Sequence, residues 1–356
     1  MKSNNASAAK PATSLEHGRQ LLAFLGQHRQ RLAPLLILIH DFPDPDALAS
    51  AFALQHLAHS AFDIPSRIAY GGELGRTENR MMVRMLRIPL HRLRKVWLKK
   101  YSSVALVDTQ PAFQNNAFPG NKRATMVIDQ HGSHAPPQAE LVLVDPECGA
   151  TCVIIAQALL ARRVPIPTRV ATALAYGILT DTLDLYRAKR ADVVRTYLRV
   201  LQKADMRALA RIQNPTRSRR FFATLGKGIL EATRRRRLLV SHLGPVETPD
   251  LVSQVAEFLL ACRGINWCLV TGRYHARLHA SLRAGSTDAE AGEVLREAFG
   301  NPLQAGGHGA IGGGSCRVGA EAALETWQER EQKLEARLLK RLRIPAKTEA
   351  RRPFAR

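Results

Sequence analysis

The chain has 356 residues, enough for two domains of ordinary size. Lysine and arginine number 52 against 30 aspartate and glutamate residues, so the net charge is +22. That excess favours polyanionic partners, of which nucleic acid is the commonest. No apolar run is long enough to span a bilayer, and residues 1–14 lack the apolar core of a secretory signal. We therefore expect a cytoplasmic protein with no membrane partner.

The segment from Leu36 to Ser50 is the most informative part of the sequence. A short apolar run predicts a buried strand, His40 lies at its carboxyl end, and Asp44 and Asp46 follow on a turn broken by prolines. In parallel α/β sheets, ligands bind beyond the carboxyl ends of the strands. One imidazole and two carboxylates there suit Mn²⁺ or a similar divalent ion. The alternative is that both aspartates only cap the helix that follows.

Strands and helices alternate through the first half of the chain. The pattern predicts strands at residues 35–39, 67–70, 103–108, 125–129 and 140–145, and helices between and after them, including a basic helical region from Arg76 to about Tyr101. This alternation, with short connections, predicts an α/β domain built on a parallel sheet with helices on both faces.

The second half has a different pattern, which predicts a smaller mixed α/β domain. Its expected elements are a strand at 234–242, a helix at 250–262, strands at 266–272 and 275–283, and helices at 287–299 and 321–342. The stretch from Gln304 to Ser315 has too many glycines for a regular element. We expect a disordered tail at 1–14, the first domain at 15–205, a helical connector at 206–233, the second domain at 234–344 and a basic tail at 345–356.

Acids and imidazoles recur at the carboxyl ends of successive elements in the first domain. Asp108 ends the strand at 103–108, Asp129 and His131 follow the next strand, and Asp181 lies near the end of an apolar helix. Paired divalent ions, about 3.5–4 Å apart, can activate water and clamp a phosphoryl group. Because one carboxylate usually bridges such a pair, Asp108, in the middle of the set, is the natural candidate.

These residues, taken in order, resemble the motifs of the DHH phosphoesterase family, which includes nano-RNases, phosphoadenosine-phosphate phosphatases and RecJ-type exonucleases. The matches are His40-x-x-Pro43-Asp44-x-Asp46-Ala47-x-x-Ser50, Val107-Asp108-Thr109, Asp129-Gln130-His131 and Thr180-Asp181-Thr182. In the second half, Ser281-Leu-Arg283 and Gly306-Gly-His308 resemble the substrate-binding signatures of the DHH-associated C-terminal domain. The resemblance covers residues 19–318, and implies an active site in the cleft between the two domains.

The resemblance also implies a role for each motif residue. One metal would be held by His40, Asp44 and Asp108, and a second by Asp46, Asp108 and Asp181. The metal would be Mn²⁺, with Mg²⁺ as the alternative. His131 would lie beside the scissile phosphate as a proton donor or charge stabiliser, unless it only supports the metal ligands through hydrogen bonds. Arg283, Gly306, Gly307 and His308 would bind the substrate.

Gln130 departs from this pattern, because it stands where the family has the first histidine of its third motif. An amide oxygen is a poorer ligand for Mn²⁺ than imidazole, so we expect the second site to be weaker or differently filled, with His134 as a candidate substitute. Three hypotheses remain: an active two-metal enzyme with a modified site, an enzyme suited to another metal, and a homologue that only binds nucleotides. Because buried acids are unfavourable without a cation, activity is the favoured hypothesis.

The expected reaction is metal-dependent hydrolysis of phosphodiester bonds in short single-stranded oligonucleotides or nucleotides. A cyclic-dinucleotide phosphodiesterase is the rival enzyme, since it shares the same motifs, and a non-catalytic nucleic-acid-binding protein is the rival of another class. The long charged helix at 321–342 permits a homodimer but does not require one.

Overall fold

The computed structural model describes residues 13–113, 115–133 and 135–354. The chain divides into two compact units, Met1–Pro215 and Thr216–Arg356. Residues 1–12 of the predicted disordered tail lie outside the described residues, and residues 13 and 14 cap and open the first helix. Among the described helices, none is both long and apolar enough to cross a membrane.

The first unit is organised around a parallel sheet of six strands. The strands are β1 (Leu35–Leu38), β2 (Ser66–Tyr70), β3 (Leu90–Arg92), β4 (Ser103–Val107), β5 (Ala124–Asp129) and β6 (Ala139–Val144). The helices are α1 (Ser14–Leu32), α2 (Pro45–Phe62), α3 (Thr77–Leu86), α4 (Trp97–Lys100), α5 (Thr151–Arg162), α6 (Thr168–Asp181), α7 (Ala191–Leu201) and α8 (Met206–Gln213). Strands β1, β4 and β5 are buried along their whole length, as the apolar runs predicted.

The strand order determines where polar side chains can meet. The order is β3-β2-β1-β4-β5-β6, and every neighbouring pair is parallel. The chain therefore builds outward in one direction from β1 and then in the other from β4. The crevice at such a reversal, outside the carboxyl ends of the strands, is the usual ligand site of these sheets. Residues after β1, β4 and β5 are consequently neighbours.

The prediction of one helical region from Arg76 to about Tyr101 is wrong. Helix α3 ends at Leu86, Arg87 adopts a left-handed conformation with φ of 53°, and β3 then joins the edge of the parallel sheet before the short helix α4. Pro89 lies between helix and strand. A proline removes a backbone donor and disfavours helical geometry at the preceding residue, so the helix ends here.

The second unit is built on a mixed sheet of six strands. Its strands are β7 (Thr233–Arg235), β8 (Leu238–Pro245), β9 (Trp267–Tyr274), β10 (Arg277–Ala284), β11 (Ala305–His308) and β12 (Ile311–Arg317), and its helices are α9 (Arg219–Leu230), α10 (Asp250–Leu260), α11 (Ala291–Phe299) and α12 (Leu324–Arg341). The order is β11-β12-β10-β9-β8-β7, antiparallel except for β8 with β9. The predicted fold class, a parallel-sheet domain with a smaller mixed domain, is confirmed.

The glycine-rich stretch is regular, contrary to the sequence expectation. Residues 305–308 and 311–317 form an antiparallel hairpin, with Gly306 opposite Gly313 and Gly307 opposite Gly312. A Cβ atom on Gly312 would lie 2.6 Å from the carbonyl oxygen of Ala291, at the start of α11. Glycine is therefore needed because the hairpin packs backbone against the helix, which the sequence pattern did not reveal.

Candidate active site

His40 and Asp44 are placed by the β1–α2 connection. His40 lies two residues beyond β1, and Asp44 is the N-cap of α2, where its Oδ1 accepts a hydrogen bond of 2.9 Å from the Ala47 N–H. Asp44 thus caps the helix, as the alternative expected. The same Oδ1 lies 3.8 Å from His40 Nε2. Capping therefore fixes the carboxylate beside the imidazole, and the two roles are compatible.

Asp108 stands at the centre of the cluster. It follows β4 with φ of 56°, a left-handed conformation that aspartate tolerates better than most residues. Its Oδ2 is 3.6 Å from His40 Nε2, and its Oδ1 accepts a 2.8 Å bond from Thr151 Oγ1. One ligand atom from each of His40, Asp44 and Asp108 lies within 4.8 Å of the others. This set of one nitrogen and two oxygen donors suits a divalent ion such as Mn²⁺.

Asp46 has a different environment from Asp44. Its side chain is fully buried, and it accepts bonds from the first backbone N–H groups of α5: 2.6 Å from Thr151 to Oδ2, and 2.9 Å from Cys152 to Oδ1. Helix N-termini favour negative charge because their first N–H groups have no partner within the helix. Asp46 therefore joins α2 to the start of α5, and both of its oxygens are hydrogen-bonded.

His131 is oriented by Asp129. The imidazole Nδ1 is 2.8 Å from Asp129 Oδ1, and Gln110 Nε2 donates a 2.8 Å bond to Asp129 Oδ2. The Nδ1 atom also lies 3.7 Å from Asp108 Oδ1. Asp108, Asp129 and His131 thus form a second group whose ligand atoms are close enough to hold a metal ion. The side chain of His131 is 39% exposed, so it is accessible to a ligand.

Asp181 is next to Gln130 and ends α6, as predicted. Gln130 Nε2 donates a hydrogen bond to Asp181 Oδ2, and the Gln130 backbone N–H donates to Thr151 Oγ1 at 3.1 Å. His134, the candidate substitute ligand, lies outside the described residues. Gln130, which stands where the family motif has a histidine, therefore contacts a predicted metal ligand directly.

Crowding of the acids changes their ionisation. Burial, followed by the charges of Asp46 and Asp44, raises the pKa of Asp108 well above its usual range. Burial and the charge of Asp44 raise the pKa of Asp46 to about 6, and burial with neighbouring carboxylates raises that of Asp181 to about 8. Such shifts mean that the cluster lacks positive charge, which a divalent cation would supply.

Two groups in the cluster favour their charged forms. Burial opposes the charge of Asp44, but the adjacent imidazole of His40 outweighs it and lowers the pKa of Asp44 to about 2. Burial likewise opposes protonation of His131, but the hydrogen bond and charge of Asp129 outweigh it and raise the pKa of His131 to about 9. An ionised ligand and a cationic imidazole therefore coexist near neutral pH.

The second unit has a pocket of its own at β10 and β12. A cavity of about 230 Å³ is lined by His279, Ser281, Arg283 and the glycines at 312–314. The Arg283 side chain is 8% exposed, and its Nη2 donates a 2.9 Å bond to Glu257 Oε1. Ser281 Oγ and His279 Nε2 are buried without a hydrogen-bond partner among the described residues. Buried polar atoms of this kind are usually satisfied by a ligand or by water.

Gly306, Gly307 and His308, the other predicted substrate-binding residues, lie on β11. A Cβ atom on Gly306 would have no neighbour within 4 Å, so its backbone is open to close approach. Gly307 has φ of 140°, and its Cβ would contact Ile311 of the same hairpin, so glycine there serves the fold. The side chain of His308 lies outside the part of the chain that the structure describes.

Comparison with known protein families identifies the family of the first unit. Residues 34–178 match the model of the DHH family, N-terminal domain. The first unit belongs to the DHH family. The matched region includes every acid of the cluster except Asp181, together with β1 to β6, α2 and α5. The resemblance to DHH phosphoesterases inferred from the motifs is thereby confirmed.

Two individual relatives extend the comparison beyond the DHH domain. The uncharacterized protein MJ1633 of Methanocaldococcus jannaschii is 33% identical over 281 residues, which is 78% of this chain and 57% of the relative. The chain therefore spans little more than half of that relative's length. Among solved structures, an exopolyphosphatase-related protein from Bacteroides fragilis has a TM-score of 0.69 and 16% identity, covering 92% of this chain and 97% of its own. That likeness establishes the fold alone.

Two residues of the DHH domain were missed by the sequence interpretation. Thr151 bonds Asp46, Asp108 and Gln130 through its backbone and hydroxyl groups. Gln110 bonds both Asp129 and the carbonyl oxygen of His131, the latter at 2.6 Å. Thr151 had a signal in the sequence, because it follows Gly149-Ala150 at the start of a predicted helix. Gln110 lies two residues after Asp108, beyond the three residues of the second motif.

Proposed function

We propose that this chain is a metal-dependent phosphoesterase that hydrolyses phosphodiester bonds in short single-stranded oligonucleotides or nucleotides. The convergence of His40, Asp44 and Asp108 at the reversal of strand order carries this proposal. Membership of the first unit in the DHH family supports the reaction class. The metal would be Mn²⁺ or, alternatively, Mg²⁺, since carboxylate oxygens suit both ions and imidazole favours Mn²⁺.

Different residues of the DHH domain would bind the metal ion and donate a proton. His40, Asp44 and Asp108 would hold the cation, which when bound lowers the pKa of water and polarises a phosphoryl oxygen. His131, with its pKa raised to about 9, would carry a proton at neutral pH. It would stabilise charge on the phosphate or protonate the leaving oxygen. Asp129 would hold the imidazole in place through the 2.8 Å bond to Nδ1.

The distribution of charge supports a nucleic-acid substrate. Between Arg84 and Lys100 the chain has seven lysine or arginine residues and no aspartate or glutamate. All seven are exposed: Arg84, Arg87, Arg92, Arg94, Lys95, Lys99 and Lys100. Trp97 lies among them, with the Arg67 guanidinium 4.7 Å from its ring centroid. Exposed cations with an interleaved aromatic ring are typical of surfaces that bind single strands.

The pocket of the second unit would bind a phosphate group of the substrate. Arg283 presents a guanidinium suited to phosphate oxygens, and Ser281 Oγ is a further donor without a partner among the described residues. Gly306 leaves backbone open to a ligand. These features support the assignment of residues 234–344 as a DHH-associated substrate-binding domain.

A substrate panel tests the proposal. Turnover of a dinucleotide, a cyclic dinucleotide and a single-stranded oligonucleotide would be measured with Mn²⁺ and with Mg²⁺, and with Asp108→Ala as the inactive control. We expect hydrolysis of the linear substrates. Preferential cleavage of the cyclic compound would establish the rival phosphodiesterase, and tight oligonucleotide binding without turnover in any metal would establish a non-catalytic binding protein.

The salt dependence of oligonucleotide affinity separately tests whether the substrate is a nucleic acid. Each phosphate contact should contribute about 0.7 to the slope of log affinity against log salt for a single strand. Replacing Lys99 and Lys100 with glutamine should therefore lower the slope by about 1.4 and leave turnover of a dinucleotide unchanged. The matched control is Lys340→Gln, an exposed lysine of α12. Affinity that does not respond to ionic strength would contradict the proposed substrate.

A further inference from the structure

The side chain of Gln130 occupies the space in front of Asp181. The Gln130 backbone is fixed at the end of β5 by its bond to Thr151 Oγ1, and its side-chain amide nitrogen donates to Asp181 Oδ2. An amide nitrogen has no lone pair available for a metal, and its hydrogens carry partial positive charge. Oδ2 of Asp181 therefore already faces a group with partial positive charge.

Asp46, which was also predicted to hold a second cation, is engaged as well. Both oxygens of Asp46 accept N–H bonds from the start of α5, at 2.6 and 2.9 Å. Turning the Gln130 amide would place its oxygen against the Asp181 carboxylate, because the two side chains are in contact. Neither residue then offers the arrangement of converging oxygens that a divalent ion requires.

In the group of Asp108, Asp129 and His131, both carboxylate oxygens of Asp129 already accept hydrogen bonds. Asp129 Oδ1 bonds the ring and the backbone N–H of His131, at 2.8 and 3.1 Å, and its Oδ2 bonds Gln110. A cation here would have to displace the imidazole from its orienting carboxylate. The set His40, Asp44 and Asp108 has no such competing bond between its own members, because its separations of 3.6 and 3.8 Å exceed hydrogen-bond length.

We propose that the amide of Gln130 replaces a cation at Asp181, so that this centre holds one divalent ion, bound by His40, Asp44 and Asp108. The inference rests on the proposed function only in assuming that the cluster binds a divalent cation. Asp181 then acts as a hydrogen-bond acceptor that positions Gln130.

Counting bound ions tests this directly, without any activity assay. The full-length protein would be dialysed against Mn²⁺ and analysed for metal, and its paramagnetic resonance spectrum would distinguish an isolated ion from a spin-coupled pair. We expect one ion in the wild-type protein and two in Gln130→His, since imidazole supplies the missing ligand. The double variant Gln130→His, Asp181→Asn should return to one ion, and Asp181→Asn alone should remain at one.

Gln138→His is the matched control, because it adds a histidine at an exposed glutamine of the same unit and should leave the count at one. Two ions in the wild-type protein, or one in a folded Gln130→His protein, would overturn the inference. If Gln130→His fails to fold by circular dichroism, the wild-type count and spectrum still decide. One bound ion with no turnover of any phosphoester would refute the proposed function and leave this inference standing.

Discussion

The carboxyl edge of the parallel sheet and the β10–β12 face of the mixed sheet have opposite chemistry. The first gathers buried acids, and burial together with the charges of neighbouring carboxylates raises the pKa values of Asp46, Asp108 and Asp181. The second gathers a buried arginine, polar atoms that have no hydrogen-bond partner among the described residues, and glycine backbone around a cavity of about 230 Å³. The chemistry of the first region therefore suits a cation, and that of the second suits an anion. A phosphoester hydrolysed with a metal ion provides both.

Asp108 is the central acid at the acidic edge of the parallel sheet. Replacing it with asparagine removes the central charge of the cation site, so we expect turnover to fall by at least about 1,000-fold, the scale on which one preorganised electrostatic group acts. Steady-state kinetics with saturating Mn²⁺ measures this. The matched control is Asp184→Asn, an exposed acid close to Asp181, which should retain full turnover. Wild-type turnover in Asp108→Asn would show that the acidic edge is not the catalytic region.

A second test concerns the cationic group at the acidic edge. His131→Ala should lower kcat by about 100-fold or more, the usual contribution of a positioned proton donor. In the wild-type enzyme the rate should fall as pH rises through about 9, because the proton leaves His131 there. Asp129→Asn removes the main cause that raises this pKa, so the fall should move toward the ordinary value of 6.5. An unchanged pH profile in Asp129→Asn would contradict the role of the pair.

The anion-binding face gives a smaller and different effect. Arg283→Ala should raise KM by roughly 10-fold to 100-fold, the equivalent of one charge-assisted hydrogen bond, with kcat nearly unchanged. Arg283→Lys should recover only part of the loss, because lysine lacks the planar fork. The control is Arg277→Ala, an exposed arginine of the same strand that bonds Ser315. A drop in kcat with constant KM would place Arg283 in the chemical step instead.

The smallest expected effect is that of a bound metal ion on the thermal stability of the protein. Asp46 and Asp181 have folded pKa values of about 6 and 8, above the ordinary 3.8. The metal-free protein therefore loses stability as pH rises from 3.8 to these values, because the folded state holds protons that the unfolded state has already released. A bound cation offsets that loss. A fixed Mn²⁺ concentration, 100-fold above the Kd at pH 8, should raise Tm by roughly 5–10 °C near pH 8 and by less near pH 5, where protonated carboxylates bind the ion more weakly. Calorimetry with and without chelator measures the difference, and an equal shift at both pH values would contradict the electrostatic account.

Much of the first unit could be predicted from the sequence, since local rules apply there. Apolar runs ending in an acid or histidine predicted β1, β4 and β5, and parallel strands bring their carboxyl ends to one edge. The glycine hairpin β11–β12 and the edge strand β3 were not predicted. Both are fixed by packing against other elements, the hairpin against α11 and β3 against β2, and neither has the apolar alternation typical of a strand.

Apolar patterning in the sequence indicated which residues form the acidic cluster, because they lie near the ends of strands and helices that this patterning predicts. The hydrogen-bond partners of these residues, in contrast, depend on the tertiary fold. Asp46 bonds an N–H group 105 residues later in the chain, and Gln130 bonds Asp181 51 residues later. Such partners depend on strand order and on where α5 and α6 begin and end, and local propensity contains no information about either.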